Sequence, residues 1–104
     1  MDCPNHLSDE ARRWWQSLCT EYDLEDEQAR LLLQTSLEAF DRLRECQRQI
    51  ARDGASILDR FGQTKSHPLL ATERDARSQM MQSLKALNLD LEPLQSGPGR
   101  PPAA

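Results

Sequence analysis

Three amphipathic stretches, separated by short polar segments, dominate the pattern of hydrophobic and polar positions along the chain. The first predicts a helix over about residues 9–22, where apolar side chains recur at intervals of three and four residues. Ser8 is a good N-cap for this helix. The adjacent Trp14 and Trp15 lie about 100° apart on a helix, so one can enter the core while the other stays at its edge or in an interface.

The second stretch predicts a long helix from about Leu24 to Asp53, with Asp23 as its cap and Gly54 as its stop. Its apolar stripe consists of Ala29, Leu32, Leu33, Leu37, Phe40, Leu43, Cys46 and Ile50. Such a helix is roughly 45 Å long, which is more than a domain of this size needs. A long amphipathic helix in a short chain packs against neighbours, in a helical hairpin or between subunits.

Residues 54–66 interrupt the helical pattern. Two glycines and mixed polar residues predict a non-helical segment, in which Ile57, Leu58 and Phe61 anchor either a short β-hairpin or an ordered loop. The pattern leaves the choice between these two open.

A third helix is predicted from Pro68, because proline is favoured at the first helical position, and either Ser66 or His67 precedes it as the cap. The fold class is therefore mainly α: a helical hairpin-like protomer with a short irregular or hairpin segment before its third helix. Residues 1–95 form the single predicted domain. The Ser-Gly-Pro-rich segment 96–104 has too little apolar surface to fold and is predicted to be a flexible tail.

The small number of aromatic residues suggests that other copies of the chain complete the core. The chain has 104 residues, of which two are Trp, one is Tyr and two are Phe. Oligomerisation is a usual remedy for a thin core, so an assembly larger than a dimer is expected. The predicted interface residues are Trp14, Trp15, Leu33, Leu37, Phe40 and Leu43.

The net charge of −4 is unevenly distributed: residues 1–53 carry −5 and residues 54–104 carry +1. An acidic balance argues against non-specific wrapping of nucleic acid but permits binding through a local basic strip. Arg44, Arg48 and Arg52 form one such strip on the second helix. Salt bridges to Asp41 and Glu45 are the favoured interpretation of these arginines.

A second basic group consists of Arg60 and Lys65 in the non-helical segment and Arg74 and Arg77 on the third helix. Because a basic, glycine-containing loop can follow a phosphate backbone, this group is the better candidate for phosphate contacts. A merely solvated loop is an equally weighted alternative. The segment Gly99-Arg100-Pro101 matches only the centre of a minor-groove motif, and a plain linker is favoured there.

No motif for catalysis, a cofactor or a metal is evident. The chain has no phosphate-binding loop, and Cys3 with His6 supplies only two of the four ligands that a zinc site needs. Three scattered cysteines are a poor disulfide framework and suit a reducing cytoplasm. The sequence predicts neither a signal peptide nor a membrane-spanning segment.

The chain combines several features in a fixed order: a long helix, a short basic segment, His67-Pro68-Leu69-Leu70 at the start of an amphipathic helix, and Leu87-Asn88-Leu89 followed by Pro93. In this arrangement residues 54–93 resemble a family of phage terminase small subunits. Family members typically have Asn-Pro in place of His67-Pro68, and Leu-Gly-Leu-Thr-Pro in place of residues 87–93.

This resemblance implies a ring-forming, non-enzymatic protein of the host cytoplasm. Its partners would be double-stranded viral DNA and the large terminase subunit, whose ATPase and nuclease it would regulate. The alternative is a helical adaptor that binds only protein, and a small enzyme is a remote third reading.

Overall fold

The computed structural model describes residues 2–89 and contains three helices, with a two-stranded antiparallel hairpin between the second and the third. Helix α1 spans Asp9–Tyr22, α2 spans Glu27–Asp53, β1 spans Ser56–Leu58, β2 spans Thr64–Ser66 and α3 spans Leu69–Leu87. The predicted mainly helical fold is confirmed, and residues 54–66 contain a β-hairpin. The predicted tail and the Gly99-Arg100-Pro101 motif lie outside the described residues.

The junction between α1 and α2 contradicts the prediction that Asp23 caps the second helix. Asp23 adopts a left-handed conformation, with φ 52°, and ends α1. Asp26 caps α2 instead, because its carboxylate accepts a hydrogen bond of 2.7 Å from the amide of Ala29. Aspartate tolerates the left-handed region better than most residues. Helix α2 therefore begins at Glu27 rather than at Leu24.

Helices α2 and α3 form an antiparallel pair. The Arg42 side chain donates to Gln79 at 3.2 Å, and farther along α2 the Gln47 side chain donates to the earlier Glu73 at 3.5 Å. Ala76 is buried on α3, and a small side chain lets the two backbones approach closely. Helix α1 packs against α2 much less extensively. Helix α3 begins one residue after the predicted Pro68.

The core lies where all three helices meet. Trp15 of α1 and Leu33 of α2 are fully buried. The main hydrophobic cluster comprises Leu7, Ala11, Trp15, Leu33, Leu37 and Phe40. Met80 and Leu87 of α3 pack against this cluster. Most of the apolar stripe of α2 is therefore covered by the chain itself, and the hairpin at the far end of α2 lies outside this core.

Candidate nucleic-acid interface

The hairpin between α2 and α3 presents basic side chains on an exposed segment. Its strands pair Ser56 with Ser66, Ile57 with Lys65, and Leu58 with Thr64. Successive side chains of a strand point to opposite faces. Ile57 and Lys65 therefore lie on one face of the hairpin, and Leu58 and Thr64 lie on the other. All of these residues are exposed except Ile57, which is half-buried.

The turn of the hairpin is held by Asp59. Its carboxylate accepts hydrogen bonds from the amides of Phe61 and Gln63 at 2.8 and 2.9 Å. Gly62 has φ 78°, which completes a three-residue loop of the kind that needs a left-handed residue. The carboxylate of Asp59 is therefore engaged in hydrogen bonds within the turn. The guanidinium of Arg60 lies 5.3 Å from the centroid of the Phe61 ring.

The base of the hairpin is held by His67, which is 6 % exposed. Its Nδ1 accepts a hydrogen bond of 3.0 Å from the amide of Leu69, so Nε2 carries the proton and donates to Asp53 at 3.0 Å. The backbone amide of His67 donates to the carbonyl of Ala55 at 2.8 Å. One residue therefore joins the end of α2, the base of the hairpin and the first turn of α3.

We call these contacts of His67 with Asp53, Ala55 and Leu69 the His67 clamp. The sequence predicted only that His67 is one of two possible caps of α3, and not the other contacts. The sequence signal was a histidine directly before the proline that precedes a helix. The clamp also affects its partner: the hydrogen bond from His67, ahead of the contribution of Arg52, holds the pKa of Asp53 below its ordinary value despite some opposing desolvation.

Arg44, the first residue of the predicted strip on α2, is engaged within the protein. Its Nε and Nη2 each lie 3.2 Å from a carboxylate oxygen of Glu10 on α1, and its guanidinium lies 4.9 Å from the centroid of the Phe40 ring. The predicted partner Asp41 is not used by Arg44. Its carboxylate accepts a hydrogen bond of 2.9 Å from the amide of Ser8, at the start of α1.

The other two arginines of this strip are also ion-paired. Arg48 contacts Glu45 at 2.6 Å, as predicted, and Arg52 contacts Asp53 at 3.4 Å. Hydrogen bonds from Gln49 and then Arg48 lower the pKa of Glu45, which keeps the carboxylate ionised beside the arginine. The positive charge of the strip is therefore balanced locally by carboxylates.

Ion pairing is different in the second basic group, which consists of Arg60, Lys65, Arg74 and Arg77. Within residues 2–89, Arg60, Lys65 and Arg74 form no ion pair, whereas Arg77 contacts Glu73 at 3.2 Å. The hairpin thus carries two cations that no carboxylate of the described chain neutralises, and α3 adds a third. A phosphate group could reach these cations without displacing a carboxylate of residues 2–89.

The predicted interface residues are mostly internal. Their exposed fractions are 0 to 8 % for Trp15, Leu33, Leu37, Phe40 and Leu43, and 49 % for Trp14. Five of the six therefore lie in the core of a single chain, and Trp14 alone among them presents a large surface to a second copy. Because an apolar stripe has the same spacing in a core as in an interface, the sequence did not distinguish the two.

Other candidate chemistry is sparse in the described part of the chain. His6 lies 2.7 Å from Glu38. No group of three or more His, Cys, Asp or Glu residues within 2–89 is placed to hold a metal ion. Burial raises the pKa of the Cys19 thiol, which makes it less reactive. None of the described helices has the length and apolar character required to cross a bilayer.

Comparison with known protein families gives a match over most of the chain. The model of the family described as "Phage terminase, small subunit" matches residues 10–93, which include all three helices and the hairpin. No curated protein and no solved structure matches the chain. Because the family match covers most of the sequence, the chain belongs to the phage terminase small-subunit family.

Proposed function

We propose that this protein recognises viral DNA and delivers it to the large terminase subunit, whose ATPase and nuclease it regulates during packaging. Small terminase subunits are generally non-catalytic, DNA-binding proteins, and the family implies DNA and the large subunit as partners. In this proposal several copies form a ring in the host cytoplasm, and the isolated chain hydrolyses neither ATP nor DNA.

The observation that carries the DNA-binding site is the distribution of ion pairs. Arg60 and Lys65 lie on an exposed hairpin without a carboxylate partner in the described chain, whereas Arg44 and Arg48 are paired. Counterion release on binding to duplex DNA rewards cations that are free to reach phosphates. The proposed primary contacts are therefore Arg60 and Lys65, supported by Arg74, and Arg77 and the α2 strip are secondary.

A ring reconciles DNA binding with the acidic character of the chain. Each protomer has a net charge of −4, and two or three phosphate contacts per protomer give only weak affinity. Repeating those contacts around a closed assembly converts later contacts into intramolecular ones, which raises the overall affinity. Local basic surfaces on each copy then outweigh the unfavourable net charge.

The test is a salt titration of duplex binding with two double variants. Arg60→Ala/Lys65→Ala should weaken binding to all duplex sequences and reduce the slope of log affinity against log salt by about 1.8 per engaged protomer. Arg48→Ala/Arg52→Ala removes the same charge from ion-paired positions and is the matched control. If the control loses binding while the hairpin variant retains it, with assembly size unchanged, the assigned site is wrong.

A protein-only adaptor is the second candidate function. Two observations favour it: the acidic net charge and the exposed apolar side chains of Trp14, Leu58, Phe61 and Met81, which are 49 to 75 % exposed. An adaptor would dock a partner on these apolar residues and would show no salt-dependent affinity for duplex DNA. Absence of such affinity in the parent protein would favour the adaptor.

A further inference from the structure

The tip of the hairpin presents an aromatic ring that the core does not cover. Arg60 and Phe61 are the two central residues of the turn, which is closed by a hydrogen bond of 3.0 Å from the amide of Gly62 to the carbonyl of Asp59. Phe61 is 75 % exposed, and Leu58, directly before the turn, is 69 % exposed. Removing such apolar surface from water is favourable, so the tip is suited to insertion into another molecule.

The backbone that carries this ring is already ordered. The carboxylate of Asp59 accepts hydrogen bonds from the amides of Phe61 and Gln63 at 2.8 and 2.9 Å. Less conformational entropy is lost when an inserted side chain stands on an ordered backbone. The turn also places a cation beside the ring, because the guanidinium of Arg60 lies 5.3 Å from its centroid.

The charges around Phe61 favour duplex DNA as the molecule that covers it. Neither Arg60 nor Lys65 pairs with a carboxylate of residues 2–89. Asp59 is the one acid of residues 54–66, and its carboxylate is engaged with amides of the turn. A protein pocket for the ring would also have to supply acids for two cations. A DNA duplex offers stacked bases between two rows of phosphates, and so matches the ring and the cations together.

We propose that Phe61 is a wedge that enters a base step of duplex DNA from the minor groove, while Arg60 and Lys65 contact phosphates beside that step. The inference rests on the DNA binding of the proposed function and adds how the hairpin engages the duplex. Proteins that bind the minor groove combine a cation, which the groove attracts, with an apolar side chain that partly unstacks a base step and kinks the duplex. The tip of the hairpin has this combination in two adjacent residues.

The test measures base unstacking and binding on the same samples. The probe is a short duplex of alternating T and A, in which 2-aminopurine replaces some adenines because its emission rises when the base unstacks. A dye at one end of the duplex reports binding by anisotropy. TA steps unstack easily, whereas A-tracts are stiff. The parent protein should therefore raise the emission of the alternating duplex and have much less effect on an A-tract of the same composition.

Three variants assign this signal to the ring. Phe61→Ala should bind roughly 5- to 150-fold more weakly, the range for loss of one base-stacking aromatic, and at saturation should leave the emission unchanged. Its salt slope should equal that of the parent, because no cation is removed. Phe61→Leu keeps an apolar wedge and should recover part of the emission. Leu31→Ala, which is 64 % exposed near the start of α2, the end opposite the hairpin, is the matched control and should behave like the parent.

Each outcome decides the proposal once circular dichroism shows intact helices, which is expected because Phe61 is too exposed to support the core. A parent that binds the duplex without a rise in emission overturns the wedge and leaves DNA binding standing. The same holds if Phe61→Ala retains the full rise, or if that variant changes only the assembly size. If Phe61→Ala binds too weakly to saturate, the emission with Phe61→Leu decides. A parent that does not bind duplex DNA overturns the wedge and the proposed function together.

Discussion

At the scale of single residues, His67 makes one contact more than a simple helix cap. Its Nδ1 accepts from the amide of Leu69, as the oxygen of an asparagine side chain could. Its Nε2 also donates to Asp53 across the base of the hairpin. The larger imidazole therefore adds a link between α2 and α3 to the cap of α3.

Replacement of His67 should separate these two contributions. His67→Ala removes the cap and leaves space at a buried position, so the free energy of unfolding should fall by about 1–3 kcal/mol. His67→Asn restores an acceptor for the Leu69 amide and should recover part of that loss. Urea denaturation measures both values. Equal destabilisation by the two variants would contradict the capping role.

Asp53 should make the stability of the protein depend on pH. Its pKa is lowered in the folded state by the hydrogen bond from His67, so its contribution is fully present above the ordinary carboxyl pKa of about 3.9. That contribution is lost as the pH falls through the lower folded-state pKa. The difference in unfolding free energy between the parent and Asp53→Ala should therefore be largest above about pH 4 and should narrow below it. A difference that stays constant across this range would exclude the linkage.

At the scale of secondary-structure elements, the docking of α1 onto α2 depends on polar contacts as well as on the core. Arg44 joins Glu10 through two nitrogens and stacks near Phe40. The same start of α1 is held by Asp41 through the amide of Ser8. These contacts give α1, which has the smaller packed surface, a fixed position on α2.

Two arginines of the same helix should differ in their effect on stability. Arg44→Ala should lower the free energy of unfolding by about 1 kcal/mol, because it removes a bidentate pair and a cation–π contact that are both partly exposed and screened. Arg48→Ala breaks an exposed pair within one helix and should cost less than Arg44→Ala, because the pair with Glu45 is screened by solvent. Chemical denaturation of both variants checks the order, and a larger loss for Arg48→Ala would contradict it.

The helices and the break between them were largely predictable from the sequence, but the capping residue of α2 and the ion-pair partner of Arg44 were not. Helical periodicity and the stop at Gly54 place three helices and a break correctly because both signals are local. Asp23 and Asp26 are both acceptable caps; in the structure Asp23 ends α1 in a left-handed conformation and Asp26 caps α2. Likewise, Arg44 has an acid three residues before it, yet it pairs with Glu10, which is brought close by tertiary structure.

At the scale of the whole molecule, the chain builds more of its own core than the sequence suggested. Trp15 and Leu33 are fully buried without any second copy. The apolar stripe of α2 was predicted to serve an interface because its spacing identifies the buried face but not the chain that covers it. After the burial of that stripe by α1 and α3, Trp14 is the one predicted interface residue that stays largely exposed.

Two leucines of α2, separated by one residue, test whether the core of the single chain contains Leu33 but not Leu31. Leu33 is 0 % exposed and Leu31 is 64 % exposed. Leu33→Ala should cost about 2–5 kcal/mol of unfolding free energy, a large part of the roughly 5–15 kcal/mol of a typical domain. Leu31→Ala should change it by no more than about 0.5 kcal/mol. If the two variants are equally stable at a protein concentration where the parent is monomeric, Leu33 is not a core residue of the single chain.

The small size of the hairpin has a consequence for the timing of its motions. An isolated two-stranded hairpin is marginally stable in water, and here each strand has three residues with little burial. Local opening therefore requires less free energy than global unfolding, and the amide of Asp59, which bonds across the hairpin to Gln63, should exchange with deuterium faster than that of Leu37. Under the proposed function, DNA would slow exchange in the hairpin first. DNA binding would then be detected as slower amide exchange in the hairpin before any change in exchange in the three helices.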